Sequence, residues 1–539
     1  MRNFHIYILT AGLLLGLISG GCRSAGERVQ KPEVAETEKQ IGSLVDVVGF
    51  EPIAVEGYGL VAGLSGTGSS ECPSDVRDYL EQYILRELPK QSKMSARDFI
   101  NSKDTAVVRI QGFISAGVSK GQHFDVLVSA LEGTQTTSLA GGYLYTAELS
   151  PYTGVGKSTR ILGEVRGAVY VDRIGGEGVD EREGCVLGGG QANDSYRIEL
   201  ALREPEYRTA SGIRNRINER FEEKTAVAVS RSLIYLNPPA EYKWQKGKFV
   251  ELVKAMYLVE TPQLAEQRIS KFTKQLAEGQ NVAGAEMALE VIGNSSLGKL
   301  AELLKSPDEK IRFSAAKCML NLKDDRGLGV LREIALHGPK ELRIEAAGSI
   351  GRGAKRNEAM DILRPLLSDK DFAIRFAAYE HLLRLDDMAI SRRLVSGDFY
   401  LDSVQCDGPK AIYISRKDEP KIVLFGFPVT CKDDFFVESK DGRLVINSGA
   451  GEKYVSLMRR HPRRSSLIGP LRSSPELGDI VLSLAESPVN EKRGQRIGLG
   501  LPYCEVAEML GIMCEKGAVE AEFHIGEVPA IMAKIKKTE

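Results

Sequence analysis

From residue 41 to residue 236 the apolar positions alternate more often than they recur at helical spacing. Residues 41–64 interleave apolar and small side chains and predict short strands bent at glycine. Residues 106–110 (AVVRI) and 124–128 (FDVLV) are β-branched or apolar runs expected as strands. Between them Gly117-Val118-Ser119-Lys120-Gly121 is a turn signal. Residues 167–171, 196–202 and 226–236 continue the strand pattern. Two segments break it: residues 76–88 (VRDYLEQYILREL) and residues 209–221 space their apolar positions as amphipathic helices do. Thr209 is the expected N-cap of the second. Densest of all is residues 57–68, GYGLVAGLSGTG, with five glycines in twelve residues. Glycines this close mark a backbone that needs positive φ or very near approach of another chain. Two readings compete: a phosphate-cradling nucleotide loop, and a packing element through which copies of the chain sit together.

From about residue 263 the spacing becomes helical and repeats. Ile311-Arg312-Phe313-Ser314-Ala315-Ala316, Leu342-Arg343-Ile344-Glu345-Ala346-Ala347 and Ile374-Arg375-Phe376-Ala377-Ala378 recur about every 31 residues. A weaker copy sits near residues 285–288, and each copy follows a polar turn. The pattern predicts HEAT-like helical repeats, an α-solenoid whose helices bury their apolar faces only by stacking on neighbours. Arg312, Arg343 and Arg375 are expected to reach the preceding turn. After residue 398 strands return at residues 411–415, 421–427 and 435–447, the last across the turn Asp441-Gly442. Residues 501–523 predict a helix ending at Gly517, then a strand.

A chain of 539 residues has room for three or four domains. Its net charge of −1 argues against nucleic acid as a partner. The one dense basic cluster, residues 459–464, reads as a solvated loop or a local phosphate or lipid-headgroup contact. The N-terminus adds more. Arg2, an apolar run over residues 6–18 and then Ser19-Gly20-Gly21-Cys22 make a secretory signal peptide, too short for a good membrane span. Small residues before Cys22 resemble a bacterial lipoprotein processing site, although Ser19 stands where Leu is usual. Lipidation of Cys22 would leave polar residues 23–40 as a tether from a membrane. Eight cysteines show no metal-ligand spacing; Cys406 with Cys431, and Cys504 with Cys514, are candidate disulfides in an exported chain.

Chemistry finds few footholds. Gly57, Gly59 and Gly63 approximate a dinucleotide loop but no helix follows at once, as phosphate binding requires. Residues 151–158 (PYTGVGKS) end like a Walker A loop, yet Pro151 removes an N–H where the first Gly should stand. The six histidines are isolated, and no nucleophile elbow or zincin helix is present. Asp46, Asp125 and Glu199 lie on or beside expected strands and read as surface or interface charges. No catalytic residue, cofactor or metal is expected.

Four segments carry a resemblance: GYGLVAGLSGTG, the turn 117–121 followed by FDVLVSAL, LAGGYL at 139–144, and REPEYRTASGIRNRINERF at 203–221. They are similar to signature segments of the bacterial flagellar P-ring protein family, over residues 41–260. Residues 516–522 (KGAVEAE) resemble the family's closing segment. The resemblance implies an α+β multidomain chain whose strand-rich P-ring-like parts are interrupted by the HEAT-like insertion. The expected layout is signal peptide 1–21, tether 22–40, P-ring-like domain 41–260, helical repeats 263–396, strand-rich domain 398–500 and closing helix and strand 501–539. It also implies a structural, non-enzymatic subunit of the basal-body P ring, a homo-oligomeric bushing around the rod in the periplasm. Rod and L-ring proteins would be its partners, with peptidoglycan nearby and a membrane anchor through Cys22. Gly57, Tyr58, Gly59, Gly63, Gly66, Gly68, Gly121, Gly141 and Gly142 are the expected assembly residues. A lipid-anchored periplasmic adaptor, binding a protein partner through its repeats, is the other reading.

Overall fold

A computed structural model describes residues 38–87, 95–152, 160–174, 179–243, 245–460, 467–486, 498–529 and 531. The expected signal peptide, Cys22, the tether up to residue 37, most of the Walker-like segment and residues 461–464 lie outside the described residues.

The chain enters through α1 (Ile41–Leu44) and β1 (Val45–Val48). There follow β2 (Ile53–Ala62), α2 (Ser74–Glu87), α3 (Ala96–Ile100), β3 (Thr105–Ile114), β4 (His123–Ala130), β5 (Tyr143–Pro151), β6 (Gly163–Ala168) and β7 (Glu183–Ala192). β2 to β7 close an antiparallel barrel in the order β2-β3-β4-β7-β6-β5. Alternation of side chains sends one row inward and one outward along every strand. Val55, Val61, Val108, Ile110, Val126, Val128 and Leu149 fill the interior. The outer row meets two covers. Val76 and Leu80 of α2 and Ile100 of α3 pack on Leu60 and Val107. Leu127, Cys185 and Leu187 join a core shared with the C-terminal part. β6 runs over Gly163–Ala168 rather than residues 167–171, and beyond it Tyr170 makes an isolated bridge to Cys185.

β8 (Ile198–Leu202), α4 (Tyr207–Arg220), β9 (Ala226–Ala228) and β10 (Leu233–Leu236) lead to α5 (Lys246–Ala255). The strands form a sheet ordered β1-β8-β10-β9. Ile213 and Ile217 of α4 and Phe249 and Val253 of α5 belong to its core. Helix α4 is capped by Glu206, not Thr209. The backbone is already helical at Tyr207, so the Thr209 hydroxyl lies in the first turn and donates to the Glu206 carboxylate at 2.5 Å.

Helices then run without interruption by strands: α6 (Pro262–Ala277), α7 (Val282–Ile292), α8 (Leu297–Leu303), α9 (Glu309–Asn321), α10 (Leu328–His337), α11 (Lys340–Gly353), α12 (Arg356–Leu363) and α13 (Phe372–Arg384). α9 packs on α7 and α11, and α11 on α13. The repeated Ala315-Ala316, Ala346-Ala347 and Ala378 are buried in these helices, where small side chains let backbones approach. Thr261, Asp308 and Asp371 cap three of the helices through their side chains, each cap contributing about 1 kcal/mol.

The C-terminal part has β11 (Ile390–Val395), β12 (Phe399–Val404), β13 (Ala411–Ile414), β14 (Lys421–Phe425), β15 (Phe435–Glu438), β16 (Leu444–Ser448), β17 (Val455–Arg460) and β18 (Leu467–Ser473). It ends with α14 (Leu477–Ala485), α15 (Tyr503–Glu515) and β19 (Glu522–Ile525). One sheet is ordered β11-β12-β14-β13-β19 and the other β15-β16-β17-β18. The first of these sheets starts at Ile390, before residue 398, and its last strand comes from the closing segment. The result is a mixed α/β chain, strand-rich at both ends and helical between.

Neither candidate disulfide forms, and all seven described cysteines are free. Cys406 packs on the helical core and Cys431 on the C-terminal core. Cys504 and Cys514 share α15; ten residues at 1.5 Å rise separate them by about 15 Å, twice the reach of a disulfide.

Candidate functional site

The inward row of β2 reads Val55, Gly57, Gly59, Val61, so two of the signature glycines point into the barrel. β2 and β5 make the seam that closes the barrel, and they pair only at its ends. Val55 and Glu56 face Pro151 and Ser150, Val61 and Ala62 face Leu144 and Tyr143, and the register slips between. β5 crosses the gap against the glycines. A Cβ on Gly57 would stand 2.4 Å from the Glu148 carbonyl oxygen. On Gly59 it would stand 2.9 Å from the Cδ1 atoms of both Ile110 and Leu144. A buried aliphatic side chain would contribute about 1.5–3 kcal/mol here; the glycines forgo that because the seam leaves no room. Tyr58, on the outward row, packs under the α2 cover.

Beyond Ala62 the chain turns at the barrel end where β3 begins. The Thr67 hydroxyl donates to Leu64 O at 2.7 Å and Ser138 O at 2.8 Å, tying this turn to the one before β5. Gly68 lies against the start of β3, where a Cβ would sit 2.0 Å from Thr105 O. Gly142 packs on Val61, and Gly141 faces Pro502, 3.8 Å from where its Cβ would be. Gly63 and Gly66 are exposed, and a Cβ on Gly66 would meet nothing within 4 Å. Two signature segments and the closing segment thus converge. Gly121 does not join them. It lies in the β3–β4 turn at the opposite barrel end, its N–H bonded to Ala192 O at 2.8 Å. The Lys246 ammonium of α5 holds that turn through Gly117 O and Ser119 Oγ.

A cavity of about 960 Å³ opens at the convergence, lined by Ser65, Thr67 and Gly141 on one side and by charged side chains on the other. Arg173 pairs with Glu181 at 2.9 Å and lies 3.7 Å from Glu508, which Lys440 also approaches at 3.7 Å. Arg459 stands 3.5 Å from Glu505 and donates to Leu499 O at 3.0 Å. Burial pushes the Glu505 carboxyl up from its ordinary range, against the pull of Arg459 and Arg173. Burial opposes the charge on Arg173, but Glu181 and Glu508 more than restore it. Cations and anions balance around the mouth, as suits a protein surface better than a singly charged ligand. Among the described residues no group of His, Cys, Asp and Glu could hold a metal ion.

The repeated arginines behave as two and one. Arg312 donates to Ser306 O and Pro307 O at 3.0 and 3.1 Å, and Arg375 to Asp369 O and Lys370 O at 2.8 and 3.1 Å. Both reach the preceding turn. Arg343, whose helix is capped by Pro339 rather than Asp, donates to Ala335 O at 3.0 Å and to the Asp369 carboxylate. Arg375 is fully buried and also pairs with Glu522 of β19 at 2.7 Å.

Sequence reasoning took Asp125 for a surface or interface charge and missed its clamp between barrel and C-terminal part. Asp125 accepts the Gly188 N–H at 2.7 Å and the Asp418 N–H at 2.9 Å. Burial raises its pKa although both N–H groups favour the charge. Asp418 is 293 residues away, and no local signal marks the pairing. Asp46, by contrast, makes an exposed pair with Arg203 at 2.8 Å.

Residues 40–290, from just before α1 into α7, match the family model described as flagellar P-ring protein. The chain is 27% identical over 264 residues to the flagellar P-ring protein of Geobacter metallireducens, covering 45% of this chain and 68% of that one. It is 30% identical over 258 residues to the counterpart in Anaeromyxobacter dehalogenans strain 2CP-C, covering 45% and 66%. Flagellar P-ring protein 1 of Photobacterium profundum is 28% identical over 258 residues, covering 44% and 66%. The chain spans about two thirds of the length of these relatives.

Proposed function

We propose that this chain, which belongs through residues 40–290 to the flagellar P-ring protein family, is a subunit of a P ring in the flagellar basal body. The family is structural, not enzymatic, and its setting is the periplasmic part of the flagellum. The observation that carries the reading is the match over residues 40–290, a span that holds the whole barrel and its neighbouring sheet. In this reading copies assemble head to tail into a closed ring around the rod and act as a bushing, beside L-ring proteins and peptidoglycan. Such a ring needs two different, complementary surfaces on each copy. The exposed turn at Gly63, Ser65 and Gly66 supports one of them, because its two glycines let a neighbouring backbone approach closely. Gly57, Gly59, Gly68 and Gly142 act one step back, by closing and shaping the barrel that presents this turn.

Helices α6 to α13 form the HEAT-like stack of this reading, and a lipid on Cys22 would hold the subunit at a membrane. No helix among the described residues is long and apolar enough to cross one. Sedimentation of the purified mature chain over a wide concentration range, with immunodetection in isolated basal bodies, tests the proposal. Concentration-dependent assembly and presence in basal bodies are expected. A chain that stays monomeric and is absent from basal bodies would overturn it.

A further inference from the structure

The helical block carries a ladder that the family match does not explain. Nine residues after each repeated arginine stand Asn321, Arg352 and Arg384, in the last turns of α9, α11 and α13. Glu290 occupies the corresponding place in α7, 31 residues before Asn321. The packing of α7 on α9, α9 on α11 and α11 on α13 puts these four positions on successive helices, in the order Glu, Asn, Arg, Arg. At the acid end the charges are matched: Glu290 accepts from Asn321 at 3.1 Å and pairs with Lys248 at 2.7 Å.

The basic end is not matched. Arg352 and Arg384 are exposed, and among the described residues neither donates a hydrogen bond or ion pair to the chain. Arg343, Arg356, Arg364 and Arg375, by contrast, each reach a carbonyl or a carboxylate. His381 lies at the α11–α13 contact, its ring pressed on the backbone of Gly351, 2.4 Å from where a Cβ would be. Any side chain at 351 would force the imidazole to move. Burial, then Arg384 and Arg352, lower the His381 pKa to about 4. Partial covering of its side chain, then Arg384, likewise pull Arg352 down, and Glu345 on the same helix opposes them without pairing. The negative ends of α11 and α13 offset part of this repulsion. They leave the forked N–H donors of both guanidiniums open, which is the geometry that matches a carboxylate or phosphate.

We propose that Arg352 and Arg384, with His381 beside them, form a binding site for an oxyanion, a phosphate or carboxylate group. The site lies outside residues 40–290 and stands whether or not the chain forms a ring.

The test uses the full mature chain in sodium phosphate, sodium succinate or sodium chloride at equal ionic strength. His381 is followed by NMR after ¹³C-histidine labelling and recognised by its low midpoint. A bound anion should move that midpoint from about 4 toward the ordinary value of about 6.5. Thermal unfolding at neutral pH should show a higher Tm in the binding salt than in chloride. Phosphate also stabilises folded chains by exclusion from their surface. The increment must therefore vanish in the double variant Arg352→Gln/Arg384→Gln. A response to phosphate alone assigns a phosphoryl group, and one to succinate a carboxylate. An unchanged His381 midpoint in all three salts, or an increment kept by the double variant, overturns the proposal. The histidine readout needs no variant, so it decides even if the double variant fails to fold.

Discussion

Gly59→Val separates fold from assembly at the signature stretch. The new side chain would project into the barrel, where even its Cβ meets Ile110 and Leu144 at 2.9 Å and Ala147 at 3.2 Å. Those neighbours are side-chain atoms and can shift. Overpacking of this kind costs about 1–3 kcal/mol, while valine's preference for a strand returns no more than about 1 kcal/mol. The net expectation is a loss of about 1–2 kcal/mol. Gly57→Ala should cost more despite adding one carbon, because its Cβ meets a backbone oxygen at 2.4 Å that only a movement of β5 can clear.

Both variants should act locally, at the β2–β5 seam. Hydrogen exchange on the monomeric mature chain reads this directly: amides of β2 and β5 should lose protection by about tenfold, 1.4 kcal/mol, while the helical block is unchanged. Urea midpoints supply the global figure. If Gly59→Val keeps wild-type protection at the seam yet fails to assemble, the glycine serves an interface between copies and the packing argument is refuted.

Three further outcomes follow from other parts of the chain. Ser65→Trp, at an exposed position beside Gly66, should leave the urea midpoint within about 0.5 kcal/mol of wild type but block assembly, as sedimentation would show. Arg375→Leu should cost about 2–3 kcal/mol in urea denaturation, because it strips two carbonyls and Glu522 of a fully buried donor; Arg312→Leu should cost less. His381 gives a pH dependence. Its folded pKa of about 4 lies below the ordinary value of 6.5, so the unfolded chain binds the proton first and stability is lost as pH falls from 6.5 through 4. The loss is about 3 kcal/mol, and His381→Gln should remove that limb from a plot of stability against pH.

How much was legible depended on distance along the chain. Strand β3 was readable because its β-branched and apolar residues stand next to one another in the chain, and the first four of its residues are all buried. The contacts of Arg312 and Arg375 were readable because donor and acceptor lie within six residues. Arg343 escaped the rule where Pro339 replaced the acidic cap. The start of α4 lies three residues before Thr209, at Glu206, a residue type that does not mark an N-cap and makes no side-chain cap bond, so backbone geometry alone sets it. The glycines of β2 were visible as a need for close approach, but not what approaches: β5, brought in by barrel closure, is some ninety residues on. Asp125 read only as a surface or interface charge beside a strand, because its partner, the Asp418 N–H, is 293 residues away.

The same clamps decide how independent the helical block can be. At its start Arg220 of α4 donates to Val291 O at 3.0 Å and Glu290 O at 2.6 Å. At its end Asp402, wholly buried in β12, accepts from Tyr379 of α13 at 2.5 Å and Arg392 of β11 at 2.8 Å. Ala378, Tyr379 and Leu382 share a core with Val404, Val423 and Phe425 of the C-terminal sheet. Removing a partner from a buried ionic group costs about 3–5 kcal/mol. Excision of residues 263–396 would strand Asp402, uncover that sheet and delete its edge strand β11. A loss of partner binding after such a deletion would therefore report unfolding as readily as a missing surface. α13 belongs energetically to the C-terminal sheet and the end of α7 to the preceding one, so neither can be removed without unfolding a neighbour. Point variants in the block, not excision, are what can separate an adaptor role from a structural one.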